Sequence, residues 1–136
     1  MPLMFVETPT HLMIPMRVSL QSYGDTLGET VANLTLAAGD NYLSLDPVPA
    51  GVLHVYTNLA FRYSGTVAAV GLYCQILLAA GVFNLFSQTP PANFVLYDRQ
   101  GFWVLKEDER LRLYVTGATL NDDAWLYATG YTVDLA

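Results

Sequence analysis

The sequence is poor in the residues that covalent catalysis and metal binding most often require. Its 136 residues include one cysteine and two histidines. A single cysteine, Cys74, excludes an intrachain disulfide and a site with several thiolate ligands, and we interpret it as a small apolar core residue. His11 and His54 are distant in sequence, and neither has a second ligand at a metal-motif spacing. We therefore expect no metal and no cofactor, and we interpret His54 as a residue on the polar face of a strand.

Charged residues are also scarce. They make up 13% of the chain, against 53% apolar residues, whereas soluble domains usually have about a quarter of their residues charged. Part of the apolar surface is therefore expected to contact a partner. The six Lys and Arg residues are dispersed along a chain of net charge −6. Without a basic stripe that could neutralise phosphates, we expect no binding to nucleic acid.

The sequence predicts neither a secretory signal nor a membrane helix. No Lys or Arg precedes Arg17, so the basic region of a signal peptide is missing. No charged residue occurs between Tyr63 and Tyr97, and residues 67–86 would be long enough to span a bilayer as a helix. Alternation favours a strand instead, because one set of alternate residues is apolar: Val70, Leu72, Cys74, Ile76 and Leu78. Gly71, Gly81 and Gln75 also interrupt this stretch, so no membrane partner is expected.

A period of two residues recurs along most of the chain and predicts an all-β protein. Odd and even residues alternate in character from Leu53 to Tyr63, and Leu111, Leu113 and Val115 alternate with polar or aromatic neighbours. A last strand is predicted from Trp125 to Leu135. Shorter candidates are 31–36, 42–45, 83–86, 94–97 and 102–105. Eight or nine strands with turns every 8 to 15 residues predict a β-sandwich, specifically a jelly roll.

The first residues differ from the rest because prolines punctuate them. Pro2, Pro9 and Pro15 each remove a backbone donor that a central strand would need. We therefore predict an extended N-terminal arm over residues 1–28, followed by one sandwich domain over residues 29–136. The apolar residues of the arm are predicted to bind a neighbour: Leu3, Phe5, Val6, Leu12, Met13 and Ile14. The alternative is an edge strand that packs within its own subunit.

No catalytic residues are predicted, and we expect the protein not to be an enzyme. The sequence contains no nucleophile elbow, phosphate-binding glycine loop or dinucleotide fingerprint. Acidic residues cluster at 107–109 and 122–123, where calcium is an alternative to a solvated turn, but neither cluster has the EF-hand pattern. Four aromatic residues are candidates for a sugar-stacking platform, although such residues are more often part of a core or an interface: Tyr56, Trp103, Tyr114 and Trp125.

The order of several segments resembles the small jelly-roll head proteins of tailed bacteriophages. After the arm, the residues 49–51 (Pro-Ala-Gly) open a long strand, residues 105–112 (LKEDERLR) lead into 115–119 (VTGAT), and residues 130–135 (GYTVDL) close the chain. These phage proteins are decoration, or cement, proteins that form trimers on the outside of the capsid and often reach their neighbours with an N-terminal arm. The resemblance implies no catalytic residues.

The sequence therefore predicts a non-enzymatic virion protein that stabilises a phage capsid from outside. Its expected partners are its own copies, as a trimer, and the major capsid protein. Its expected location is the capsid exterior, after synthesis in the host cytoplasm without a signal peptide. The alternative from another class is a carbohydrate- or receptor-binding sandwich on a fibre or cell surface. A third possibility is a small ligand-binding barrel with a hollow interior.

Overall fold

The computed structural model describes residues 23–135, and these residues form eight β-strands and no helix. The strands are Tyr23–Asn33 (β1), Gly39–Ser44 (β2), Val52–Ser64 (β3), Gly71–Leu78 (β4), Gly81–Gln88 (β5), Tyr97–Leu105 (β6), Arg110–Ala118 (β7) and Asp123–Asp134 (β8). The all-β prediction is confirmed. Of the shorter candidates, residues 94–96 lie in a loop, and only Tyr97 belongs to a strand.

The eight strands form two antiparallel sheets that face each other. The first sheet has the strand order β1-β8-β3-β6, and the second sheet has the order β2-β7-β4-β5. Apart from the β4–β5 hairpin, each connection passes from one sheet to the other. Two four-stranded sheets connected in this order form a jelly roll, so the predicted β-sandwich is confirmed and its topology is known.

The first strand begins earlier than the expected domain boundary at residue 29. Residues 26–28 already pair with β8, with Thr26 opposite Tyr131 and Gly28 opposite Thr129. β1 itself contains no proline, so every residue of this strand has the N–H group that a ladder needs. Residues 1–22 lie outside the described residues, and with them the six predicted arm contacts: Leu3, Phe5, Val6, Leu12, Met13 and Ile14.

The core lies between the sheets and follows the predicted alternation in β4 and β7. Leu111, Leu113 and Val115 are fully buried, while the residues between them are only half-buried. In β4, Leu72, Cys74 and Ile76 face the same core. Residues 67–86, considered above as a membrane helix, form β4 and most of β5. No helix long and apolar enough to cross a membrane occurs in the part of the chain that the structure describes.

A β-bulge in β3 exchanges the two faces of this strand. Tyr56 lies opposite Gly130 and Asn58 lies opposite Thr129, so no residue of β8 lies directly opposite Thr57 in the ladder. One extra residue turns the rest of a strand over. Tyr56 therefore reaches the core from an even position, whereas Leu59 and Phe61 reach it from odd positions.

The bulge overturns the prediction for His54. This residue lies opposite the fully buried Leu105 and is itself only 7% exposed. It therefore faces inward and does not lie on the polar face of the strand.

The neighbouring strand accommodates the bulge with a glycine. A Cβ atom at Gly130 would lie 1.8 Å from the backbone oxygen of Val55 and 2.9 Å from the Cα of Tyr56. No side chain fits at such distances, so the close approach of β3 and β8 requires glycine at this position.

Candidate interaction surfaces

Four loops meet at one end of the sandwich, here called the loop end, and Asp122 links several of them. The loops are 34–38, 65–70, 89–96 and 119–122. The Tyr63 hydroxyl and the Thr66 N–H donate to Asp122 Oδ2 at 2.8 and 2.9 Å. The Leu36 N–H donates to the Asp122 backbone oxygen at 2.9 Å. Asp122, considered from sequence as a calcium ligand, therefore accepts hydrogen bonds that hold these loops together.

Tyr63 extends this network toward the 89–96 loop. Burial and its hydrogen bond to Asp122 raise the pKa of Tyr63 to about 12, so the phenol keeps its proton and remains a donor. The Phe94 N–H donates to the Tyr63 backbone oxygen at 2.8 Å, and the Gly65 N–H donates to Asn93 Oδ1 at 2.8 Å. The loop end is consequently a hydrogen-bonded platform.

Five large apolar side chains are exposed on this platform, and we call them the end patch. They are Leu34 (59% exposed), Phe94 (59%), Val95 (42%), Leu96 (53%) and Leu120 (62%). Phe94 also has a φ of 65°, which is an outlier for a bulky residue. Strained backbone of this kind persists where the surroundings fix it, often at binding surfaces.

A second group of exposed apolar residues lies along one side of the sandwich, and we call it the side patch. It consists of Val82, Phe83, Phe102 and Val104, which are 45% to 66% exposed. The residues belong to β5 and β6, the edge strands of the two sheets. These two edges adjoin each other, because the Arg99 guanidinium lies 5.2 Å from the Phe86 ring.

The β5 edge differs from the other three edges because it has no charged residue. The other edges each have at least one: Asp25 and Glu29 in β1, Asp40 in β2, and Asp98 and Arg99 in β6. Charges on edge strands prevent pairing with other chains. Val82 and Phe83 of the side patch therefore lie on an edge strand without this protection.

The four aromatic candidates for a sugar platform do not come together. Tyr56 is 1% exposed, and Trp103 packs against the core. Tyr114 lies in β7 of the second sheet, whereas Trp125 lies in β8 of the first sheet. The alternation within each strand could not reveal that these residues belong to different faces.

A row of three tyrosines crosses the outer face of the second sheet. Tyr42 and Tyr114 stack with ring centroids 4.8 Å apart and an interplanar angle of 9°, and Tyr73 lies 5.8 Å from Tyr114. The Tyr114 hydroxyl donates to Asp40 at 3.0 Å. The rings mostly face each other and so do not form a flat stacking platform. Sequence reasoning missed this row because it depends on the register between strands.

A hydrogen-bonded chain connects His54, Tyr56 and Glu29. The Tyr56 hydroxyl donates to Glu29 Oε1 at 2.5 Å and lies 3.1 Å from His54 Nδ1. Because the hydroxyl has a single proton, His54 Nδ1 carries the hydrogen of the second contact. Burial and, to a lesser extent, Glu29 raise the pKa of Tyr56. Glu29 also lines a cleft of about 370 Å³ formed by residues 28–31 and 44–46.

The opposite end of the sandwich contains the other acidic cluster. Glu109 is 8% exposed and its Oε1 accepts a hydrogen bond from the Lys106 N–H at 2.9 Å, so this carboxylate closes the turn between β6 and β7. A cleft of about 330 Å³ lies beside it. Within residues 23–135, no group of three or more His, Cys, Asp or Glu side chains could hold a metal ion. Cys74 is fully buried, and burial raises the pKa of its thiol to about 12.

Comparison with known proteins finds only weak similarities, all of them to solved structures. No protein-family model and no curated protein sequence matches it. Among solved structures, PirA has a TM-score of 0.39 at 10% identity, over 77% of this chain and 94% of PirA. A protein of infectious bursal disease virus, Gt strain, has a TM-score of 0.39 at 12% identity, over 83% of this chain but 34% of the viral chain. A family 29 carbohydrate-binding module has a TM-score of 0.37 at 15% identity, over 82% of this chain and 81% of the module. At these TM-scores the similarities carry no conclusion about this chain, whose fold is established by its own strands and their order.

Proposed function

We propose that this chain is a non-enzymatic structural protein of a virion, which binds the outer surface of a phage capsid as a homo-oligomer, with a trimer expected. The presence of two separate apolar patches carries the proposal. An attached oligomer needs one surface for its own copies and another for the particle. We assign the side patch to the copies and the end patch to the major capsid protein.

The end patch has the properties of a surface that binds without rearrangement. Its loops are joined through Asp122 and Tyr63, and fixed loops lose less conformational entropy when they bind. Its exposed Phe94 is the type of aromatic anchor that contributes most to protein interfaces. An oligomer that binds the assembled capsid and not its free subunits stabilises the assembled state by linkage.

The side patch suits contact between copies because of its edge strand. An uncharged edge next to Val82 and Phe83 would associate nonspecifically if it stayed exposed. A symmetric contact covers the same surface on every subunit. For a stable trimer we expect each contact to bury about 1,200 to 2,000 Å².

One observation favours the alternative of a carbohydrate- or receptor-binding module. On the outer face of the first sheet, Asn58 Oδ1 is buried without a hydrogen-bond partner, and Tyr127 lies on the same face of β8. An amide beside an aromatic ring is an arrangement that can bind a sugar. The alternative predicts that soluble oligosaccharides bind the isolated protein.

Two double variants test the assignment of the patches. We expect Leu96→Ser with Leu120→Ser to keep the oligomer but to lose attachment to capsids assembled without the protein. We expect Phe83→Ser with Phe102→Ser to shift the sedimentation mass toward the 15.0 kDa subunit. Circular dichroism melts should show that both variants stay folded, because all four side chains are exposed.

Two results would contradict the proposal. One is a wild-type protein that sediments as a monomer and does not attach to such capsids. The other is oligosaccharide binding, measured by calorimetry, that Asn58→Ala abolishes and the patch variants leave intact.

A further inference from the structure

Arg62 is held in a corner between two aromatic rings beside the end patch. Its guanidinium carbon lies 4.6 Å from the ring centroid of Phe94 and 4.3 Å from that of Trp125. The centroids of the two rings are 6.4 Å apart. Rings on opposite sides of the guanidinium would be separated by nearly the two distances combined, so these rings cover adjacent sides of it. Trp125 is fixed by its pairing opposite Arg62, and Phe94 by its hydrogen bond to Tyr63. The cation is therefore immobilised.

The hydrogen-bonding capacity of this cation is unused within residues 23–135. Arg62 Nε is buried and has no hydrogen-bond partner. By contrast, Arg112 also stacks on a ring, that of Tyr42, but its Nε donates to Gln75 Oε1 at 2.8 Å. A buried donor without a partner costs free energy, and the cost is larger for charged groups. The buried Nε is out of reach of a partner, so an acceptor on a partner would contact the Nη groups, which are not buried without a partner.

We propose that Arg62 binds a carboxylate of the protein surface that covers the end patch. The inference rests on the proposed function and specifies the chemistry of its partner. The two Nη groups at the end of a planar guanidinium match the two oxygens of a carboxylate. Phe94 belongs to the patch and also contacts the guanidinium, so one protein surface would cover both. A phosphate backbone fits less well, because it would bring a row of negative charges to a chain whose net charge is −6, whereas a carboxylate brings one.

Substitutions of Arg62 test the proposal through attachment to capsids assembled without the protein. We expect Arg62→Gln to weaken the affinity by about tenfold or more, since a charge-assisted hydrogen bond contributes roughly 1.5 to 3 kcal/mol. The affinity of Arg62→Lys should lie between those of Arg62→Gln and wild type, because lysine keeps the positive charge but lacks the paired N–H donors of arginine. Arg110→Gln is the matched control: it removes a half-buried arginine at the opposite end of the sandwich and should leave attachment unchanged. Equal affinities of Arg62→Gln and wild type would overturn the proposal.

A measurement on the isolated protein separates this inference from the proposed function. The NMR signal of the Arg62 Nε–H should shift in a saturable way when sodium acetate is added, and not when sodium chloride replaces it at equal ionic strength. An absent acetate shift would overturn the carboxylate site, and so would a shift that cellobiose or inorganic phosphate produces while acetate does not. If the wild-type protein fails to attach to capsids, the proposed function fails, and the acetate titration still decides the role of Arg62.

Discussion

At the scale of single residues, Leu113 shows how burial decides the effect of a substitution. It lies in the middle of β7, is fully buried and pairs with Cys74 of β4 and Leu43 of β2. We expect Leu113→Ala to lower the free energy of unfolding by about 2 to 5 kcal/mol, because it leaves a cavity between three packed strands. Urea unfolding measures the change.

Arg110→Ala in the same strand is the control for this prediction. Arg110 is half-buried on the outward face, so its replacement should change the free energy of unfolding by no more than about 0.5 kcal/mol. Arg112 lies in the same strand but is a poorer control, because it donates a hydrogen bond to the buried Gln75. Similar effects of Leu113→Ala and Arg110→Ala would show that the register of β7 is wrong.

His54 predicts a dependence of stability on pH. Burial lowers the pKa of His54 below its ordinary 6.5, although the nearby Glu29 acts in the opposite direction. The folded state therefore binds the proton less readily than the unfolded state. The contribution of neutral, buried His54 to the free energy of unfolding is therefore complete above about pH 6.5, and it decreases as the pH falls below that value.

Melting temperatures of wild type and His54→Gln between pH 7.5 and 5 test this dependence. The wild type should lose stability toward pH 5 more steeply than the variant, because His54→Gln removes the titrating group and leaves His11 in place. Parallel curves for the two proteins would refute the assignment of the pH dependence to His54.

At the scale of elements, the bulge in β3 and the glycine in β8 depend on each other. We expect Gly130→Ala to lower the free energy of unfolding by about 2 kcal/mol or more, because its Cβ would lie 1.8 Å from the backbone of β3 and the backbone must shift. Gly28→Ala is the matched control, since Gly28 also lies in a strand of the first sheet and has open space around it. That variant should change stability by no more than about 0.5 kcal/mol. Denaturant melts that rank Gly28→Ala as the more damaging change would contradict this account.

At the scale of the whole molecule, the proposed function assigns the two patches to different partners. The predicted arm, of which residues 1–22 lie outside the described residues, would add a third region. We expect deletion of residues 1–16 to leave the melting temperature of the domain nearly unchanged, because the two described sheets are built from residues 23–134. The deletion should weaken attachment to capsids assembled without the protein, because it removes apolar contacts. An unchanged attachment with a collapsed melting temperature would show that the arm completes its own sandwich.

The sequence by itself determined the fold class and much of the core. Alternation specified β4 and β7, including the burial of Leu72, Cys74, Leu111 and Val115, because each strand alternates between two faces regardless of its neighbours. Turn residues likewise located the long third strand, predicted from Leu53 to Tyr63 and observed from Val52 to Ser64. The sandwich follows from such local rules, and this is why its prediction was accurate.

Only the tertiary structure decided the surfaces. The bulge that turns His54 inward arises because Thr57 is left out of the pairing with both neighbouring strands, and no local pattern contains that information. Leu34, Phe94 and Leu120 are far apart in sequence and share one end of the molecule only because antiparallel strands bring alternate loops together. The corner that holds Arg62 likewise requires Phe94 and Trp125 from different segments. Contacts between distant segments arise from strand order and register, so the exposed apolar patches of this protein become visible only once both are known.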